Sequence, residues 1–133
     1  MADNYTHVSF TAVLPRDVAH DIMQGIELLQ EYGHDEYEDI DSIPQDVKDA
    51  LSNTCSIRLF SSLMEVMSVD AVTCTNCTAK VEDIGNDDGT ERLIVYSTDG
   101  DANVDPIADL IGAVLAAHED DSIVAFEWAN TCS

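Results

Sequence analysis

Residues 7–33, HVSFTAVLPRDVAHDIMQGIELLQEYG, contain a change of hydrophobic period that decides the fold. In residues 7–14 the apolar side chains of Val8, Phe10 and Leu14 fall on one side of an alternating pattern, which predicts a half-buried β-strand. From Pro15 onward the period is helical, and proline suits the first position of a helix because its missing N–H needs no partner there. The apolar stripe of this predicted helix consists of Val18, Ile22, Ile26 and Leu29, and Gly33 is expected to end it.

The rest of the chain alternates between helical and extended patterns. The predicted elements are an acidic loop at 34–42, one bent helix or two short ones at 44–67, strands at 69–84 and 91–97 around an NDDG turn, a helix at 106–118 and a strand at 122–129. This order is β-α-β-β-α-β with an insert at 34–68, after the first helix. It predicts a single α+β domain over residues 1–133, with the ferredoxin-like split β-α-β arrangement.

The charge of the chain is strongly one-sided, with 27 Asp and Glu against five Lys and Arg and a formal net charge of −22. A periodic hydrophobic content of 45% argues against disorder. Self-repulsion of this size destabilises a small protein in dilute buffer, but at molar salt the Debye length falls to about 3 Å. Because lysine is also nearly absent, the composition favours the salt-rich interior of a haloarchaeon.

The same composition restricts the partners and the location. No basic patch is present, so we expect no direct binding to nucleic acid. No apolar run approaches the roughly 20 residues of a membrane span, and the start MADNYTHVSF lacks the pattern of a signal peptide. We therefore expect a cytoplasmic or virion protein without contact to a membrane.

The C-terminal part of the chain carries motifs that resemble a known group of proteins. The runs LIVYSTDG (93–100) and FEWANTCS (126–133), with the helix at 106–118 between them, are similar to a pattern in small uncharacterised proteins of tailed phages and of prophage-carrying bacteria and archaea. The run YTHVSFTAVLP (5–15) is similar too. The resemblance implies a viral or mobile-element context, here in a halophilic version, and it brings no activity and no site residues.

The chain departs from that pattern at its end. Members of the group usually continue past T-C-S with K-P-R and a Gly-rich segment, whereas this sequence stops at Ser133. Any role of that segment is therefore expected to be missing here or supplied in another way.

The best single motif is the C-x-x-C pair Cys74 and Cys77. Together with Cys55 and Cys132 it could supply four thiolates to a structural zinc ion. Against this, residues three apart in a continuous strand point to opposite faces, and no second C-x-x-C exists. A thioredoxin-like dithiol would need a helix start after the motif. The competing interpretation is that these cysteines are small buried apolar side chains.

Five apolar side chains are candidates for a contact with another protein. They are Leu63, Met64 and Met67 on the insert, and Tyr96 and Trp128 on the strands expected near the middle of the sheet. Aromatic and Met side chains are frequent anchors of protein interfaces, although a place in the core explains the same residues. If the insert face is exposed, it is a contact surface.

No catalytic constellation accompanies this core. The four histidines are scattered, and none pairs with a Ser or Cys in a recognisable nucleophile arrangement. The sequence therefore favours a non-enzymatic interaction or assembly module of a haloarchaeon or its virus, with a protein partner or self-association and no cofactor. The alternatives are an acidic DNA mimic that inhibits a nucleic-acid-binding protein and a small zinc-binding domain.

Overall fold

The first strand and helix of the chain are β1, Asn4–Pro15, and α1, Arg16–Tyr32. The computed structural model describes residues 4–35, 37, 39–69, 72–97, 102–120, 124 and 128–132, with the backbone alone at 4–6 and 128–132. The other elements are a 3₁₀ turn Ile40–Ser42, α2 Gln45–Thr54, α3 Ile57–Val69, β2 Cys77–Asp83, β3 Thr90–Ser97, α4 Val104–Ala117 and β4 Trp128–Cys132. The protein belongs to the α+β class, as the sequence predicts.

The four strands form one antiparallel sheet in the order β2-β3-β1-β4. Helix α1 packs on β1, β2 and β3, and helix α4 packs on α1. The stripe predicted for α1 is buried between these layers. The core therefore lies between one face of the sheet and the helices, with α3 packed against α4 on the far side.

The insert contains two helices, and Cys55 and Ser56 between them are not helical. Cys55 has an extended backbone (φ −129°, ψ 171°), and the hydroxyl of Ser56 accepts a hydrogen bond from the N–H of Leu59 at 3.2 Å. A Ser at this position satisfies one of the free N–H groups at a helix start. The polar residues 52–54, where the sequence suggested a break, are instead the last turn of α2.

The strand predicted at 69–84 is shorter than its composition suggested. Residues 72–76 precede β2 without regular structure, because the N–H groups of Thr73 and Cys74 both donate to the carbonyl of Gly33, each at 2.9 Å. Asn76 then adopts a left-handed backbone (φ 53°), which turns the chain into β2. Two hydrogen bonds to Gly33, at the end of α1, thus keep residues 72–76 out of the strand that their composition favours.

The predicted last strand is only partly described. Its residues 128 and 129 lie in β4, whereas 122, 123 and 125–127 fall outside the described residues. Val124 lies outside the strand and packs against the core. None of the helices within the described ranges is long and apolar enough to cross a membrane.

Candidate interaction surface

Leu63, Met64 and Met67 lie in the core rather than on a contact surface. Leu63 and Met67 are completely buried, and Met64 is nearly so. The reason is that α3 packs its apolar stripe against α4 and α1, so the insert is a third layer of the core rather than an appendage. This corrects the expectation that these three side chains form a contact face.

Tyr96 is exposed, on the side of the sheet opposite α1. It lies in β3, between Ser9 of β1 and Thr78 of β2, and 39% of its surface is accessible. Trp128 is paired with Val8 in the β1–β4 ladder, and its side chain lies outside the described part of the chain. Of the five candidates, Tyr96 is therefore the one that the structure places on an exposed surface.

The surroundings of Tyr96 form a surface that we call the open sheet face. Successive side chains of a strand point to opposite faces, and on β1, β2 and β3 one set is buried against the helices. The other set makes up the open sheet face: Ser9, Thr11 and Val13 of β1, Thr78, Lys80 and Glu82 of β2, and Arg92, Ile94 and Tyr96 of β3. Within the described ranges, the helices that contact the sheet do so from the other side.

The register arranges the open sheet face in three rows across the strands. One row is Lys80, Ile94 and Thr11, with Ile94 at its centre. A second row is Thr78, Tyr96 and Ser9, and the third is Glu82, Arg92 and Val13. Val13, at the end of the third row, is 53% accessible. Three large apolar or aromatic side chains thus stand among small hydroxyl residues.

The charge of the open sheet face differs from that of the whole chain. Of its nine residues Glu82 is the one acid, whereas Lys80 and Arg92 are two of the five Lys and Arg of the chain. The Glu82 carboxylate lies 3.6 Å from Lys80 Nζ and 3.5 Å from Arg92 Nη1. The adjoining strand β4, WANTC, contains no acidic residue either. This face is therefore poor in carboxylates on a molecule of net charge −22.

The three cysteines whose side chains are described are not gathered as the four-thiolate site would require. Among the described residues, no group of three or more His, Cys, Asp or Glu is placed to hold a metal ion, so Cys55, Cys74 and Cys77 do not converge. Cys132 lies in β4 opposite Asn4, and its side chain is outside the described residues. Cys74 and Cys77 are both buried, and Cys77 belongs to the core cluster. Burial raises the pKa of the Cys55 thiol, helped by the charge of Asp21.

The segment that carries Cys74 and Cys77 joins the ends of two helices. The Gln30 side chain of α1 accepts hydrogen bonds from Thr75 Oγ1 at 3.1 Å and from the Asn76 N–H at 2.6 Å. The Asn103 N–H, just before α4, donates to the carbonyl of Thr75 at 2.9 Å. These bonds give the polar residues of C-T-N-C a structural role, which also accounts for Thr75 being completely buried.

A cleft of about 440 Å³ opens where the N-terminal half of α1 meets the start of α3 and the end of α4. His118 Nε2 lies 2.6 Å from Asp21 Oδ2, and Arg58 Nη1 lies 3.4 Å from His118 Nδ1. If the guanidinium donates to Nδ1, the proton of the ring is on Nε2 and is donated to Asp21. Both ring nitrogens then have protein partners, so this arrangement ties α1, α3 and α4 together and leaves neither nitrogen facing a substrate.

His20, the neighbour of Asp21 on α1, makes a second carboxylate–histidine contact, with Glu91. Glu91 is nearly buried on β3, accepts a hydrogen bond from Arg16 Nε, and lies 3.0 Å from His20 Nε2. The hydrogen bond from Arg16 lowers the pKa of the Glu91 carboxyl, and the hydrogen bond from His20 lowers it further. In return, Glu91 raises the pKa of the Arg16 guanidinium. These contacts attach the start of α1 to the sheet.

The open sheet face was visible in the sequence only in part. Alternation in residues 7–14 assigns Ser9, Thr11 and Val13 to the side opposite the core, but the sequence does not reveal which strands lie beside β1. Lys80 and Arg92 therefore could not be placed next to each other before the register was known. The signal that could have found the face is the absence of Asp and Glu from residues 4–15, in a chain where one residue in five is acidic.

A scan against protein-family models found no matching family, and searches of the curated proteins and of the solved structures found no match.

Proposed function

We propose that this protein is a non-enzymatic interaction or assembly module that binds another protein through the open sheet face. The observation that carries the proposal is the local lack of carboxylates around Val13, Ile94 and Tyr96. In a chain of net charge −22, an ordinary solvent-exposed face is expected to carry its share of acids. A face with one acid among nine residues, paired with two cations, and with apolar side chains exposed has the composition of a protein contact.

The strand order β2-β3-β1-β4, with α1 after β1 and α4 after β3, supports a ferredoxin-like split β-α-β fold with an inserted helical pair. We infer that the chain has this fold, which covers one face of its sheet with two helices and leaves the other available. We also place it in the molar salt of a haloarchaeon or its virus. The net charge and the two lysines support that placement.

The DNA-mimic alternative gains no support from the arrangement of acids. Acidic residues occur on all four helices and on the loops around them, for example Glu27, Asp49, Glu65 and Asp109. A mimic needs carboxylates in rows along one face, spaced like phosphates. The zinc alternative lacks support because the three described cysteines do not converge.

The two lysines of the chain make a direct test possible. Lys80 lies on the open sheet face with 55% of its side chain accessible, and Lys48 lies on α2, away from the sheet. The protein is treated with a small amine-reactive reagent twice, as a dilute purified sample and in a native extract of the producing cells at molar KCl. Mass spectrometry then gives the Lys80 to Lys48 labelling ratio, with Lys48 as the internal control.

We expect a several-fold lower ratio in the extract, because a bound protein covers Lys80 and not Lys48. An unchanged ratio in extract and in purified protein contradicts the proposal. Nuclease treatment of the extract distinguishes a protein occupant from a nucleic acid. Protection of Lys80 that disappears with nuclease identifies a nucleic acid as the occupant, and the proposal is then wrong.

A further inference from the structure

We propose that the occupant of the open sheet face is a second copy of this chain, so that two sheets stack face to face about a two-fold axis. This inference rests on the proposed function and names the partner for the same surface. It follows from the charges of the molecule, the arrangement of the three rows and the exposure of the apolar side chains between them.

The distribution of charge on the molecule favours an acidic over a basic partner for this face. A basic protein would be attracted to the acid-rich helices and loops rather than to the face that carries Lys80 and Arg92. A partner that is itself strongly acidic can approach only where carboxylates are absent. The acidic protein always present at the same concentration is another copy of the chain, with its own charge of −22 and its own acid-poor face.

The rows of the open sheet face are compatible with pairing to themselves. A two-fold axis that runs across the strands at the level of Ile94, midway between two stacked sheets, reverses the strand direction of the second copy. The row that contains Arg92 then lies over the row that contains the partner's Tyr96. In the central row Ile94 lies over the partner's Ile94 and Lys80 over the partner's Lys80, a like-charge contact that molar salt screens. A guanidinium over an aromatic ring is a favourable contact, and each such dimer contains it twice.

The internal ion pairs support the same pairing. Glu82, the one acid of the face, already lies within 3.6 Å of Lys80 and 3.5 Å of Arg92 in the single chain. On the nine described residues of the face, a second copy therefore meets one carboxylate, which has a cation on either side of it. Val13 and Tyr96, which are largely exposed in one chain, lose contact with water in the dimer.

The size of the face sets the strength of association. Strands lie about 4.8 Å apart and rise about 3.3 Å per residue, so the three strands of the open sheet face over five residues cover a footprint of roughly 240 Å². A standard stable interface buries about 800 Å² on each partner. We therefore expect a weak dimer, with a Kd in the micromolar range or above.

The test is sedimentation equilibrium of the full chain at 10 µM to 1 mM in 3 M KCl. The expected result is an average mass that rises with concentration from 14.5 kDa toward twice that value. Tyr96→Lys removes the ring that lies over the partner's Arg92 and places a second cation there, and it is expected to weaken association at least tenfold. Ile57→Lys makes the same change of charge at a side chain that is 87% accessible on α3 and should leave association unchanged.

Salt supplies an independent readout, because two chains of −22 repel each other and screening removes that repulsion. Association is expected to strengthen between 0.5 and 3 M KCl. If Tyr96→Lys does not fold, as judged by circular dichroism, Ile94→Thr removes apolar surface while keeping a β-branched residue and should also weaken the dimer.

Three outcomes overturn the inference: a monomer at every concentration, a dimer that Tyr96→Lys and Ile94→Thr leave intact, or a dimer that weakens as KCl rises. A monomer whose Lys80 is nevertheless protected in the native extract would retain the proposed function with a different protein as partner. A monomer without that protection removes both proposals.

Discussion

Gly33 fixes the junction between α1 and the segment that leads into β2. Its backbone φ of −91° is open to any residue, so the requirement for glycine is one of space. A Cβ at this position would overlap the Leu29 carbonyl and the Thr73 hydroxyl, and it would lie 2.7 Å from the Cys74 nitrogen. Two of these three neighbours are backbone atoms, which cannot move aside as a flexible side chain can.

We predict that Gly33→Ala lowers the free energy of unfolding by about 1–3 kcal/mol, the usual cost of forcing an extra group into a packed site. The matched control is Gly112→Ala on the exposed side of α4, where an added Cβ meets no atom within 4 Å. That change should raise stability by about 0.5–1 kcal/mol, because alanine is the better helix former. Urea denaturation of both variants measures the two effects, and equal effects would contradict this account of Gly33.

Glu91 gives a residue-scale prediction about pH. Its pKa is held below the ordinary value of 4.5, first by the hydrogen bond from Arg16 and then by His20. A carboxyl with a lowered pKa in the folded state contributes stability above its unfolded pKa, and this contribution disappears as the pH falls through the folded pKa. Glu91→Gln should therefore lower Tm at pH 7, and the difference from wild type should shrink as the pH falls below about 4.5.

Melting curves from pH 7 to pH 3 check this behaviour, with Glu65→Gln on the exposed side of α3 as the control for loss of one negative charge. A Tm difference for Glu91→Gln that stays constant down to pH 3 would show that the ion pairs of Glu91 contribute no pH-dependent stability.

At the scale of elements, the sequence determined the order and type of most helices and strands because their hydrophobic periods are strong. It did not determine the ends of elements where long-range hydrogen bonds compete with strand propensity. Residues 72–76 are an example, because hydrogen bonds to the Gly33 carbonyl prevent them from extending β2. The contact surface was less accessible to prediction. Helical spacing placed Leu63 and Met67 on one stripe, but spacing alone does not tell whether another helix covers that stripe.

The position of α3 is tested by comparing two apolar residues of the same helix. Leu63→Ala removes a completely buried side chain and should cost about 2–5 kcal/mol of stability. Ile57→Ala changes a side chain that is 87% accessible, and its effect should stay within about 0.5 kcal/mol. Similar, small effects of the two substitutions on the urea midpoint would mean that α3 does not pack against α4 as described.

At the scale of the whole molecule, the distribution of charge is more informative than its total. The total of −22 is the observation behind our proposal of a salt-rich environment. The distribution separates helices and loops that carry the acids from a sheet face that carries one, paired with Lys80 and Arg92. That contrast depends on the strand register, so composition alone does not contain it.

The most direct test of the claim that the open sheet faces of two copies pair with each other is a dilution series of ¹H–¹⁵N correlation spectra in molar KCl. The account predicts concentration-dependent shifts at the amides of Ser9, Thr11, Ile94 and Tyr96, and unchanged peaks on α2 and on the exposed side of α3. Spectra that do not change between 10 µM and 1 mM, or shifts confined to the helices, would contradict it.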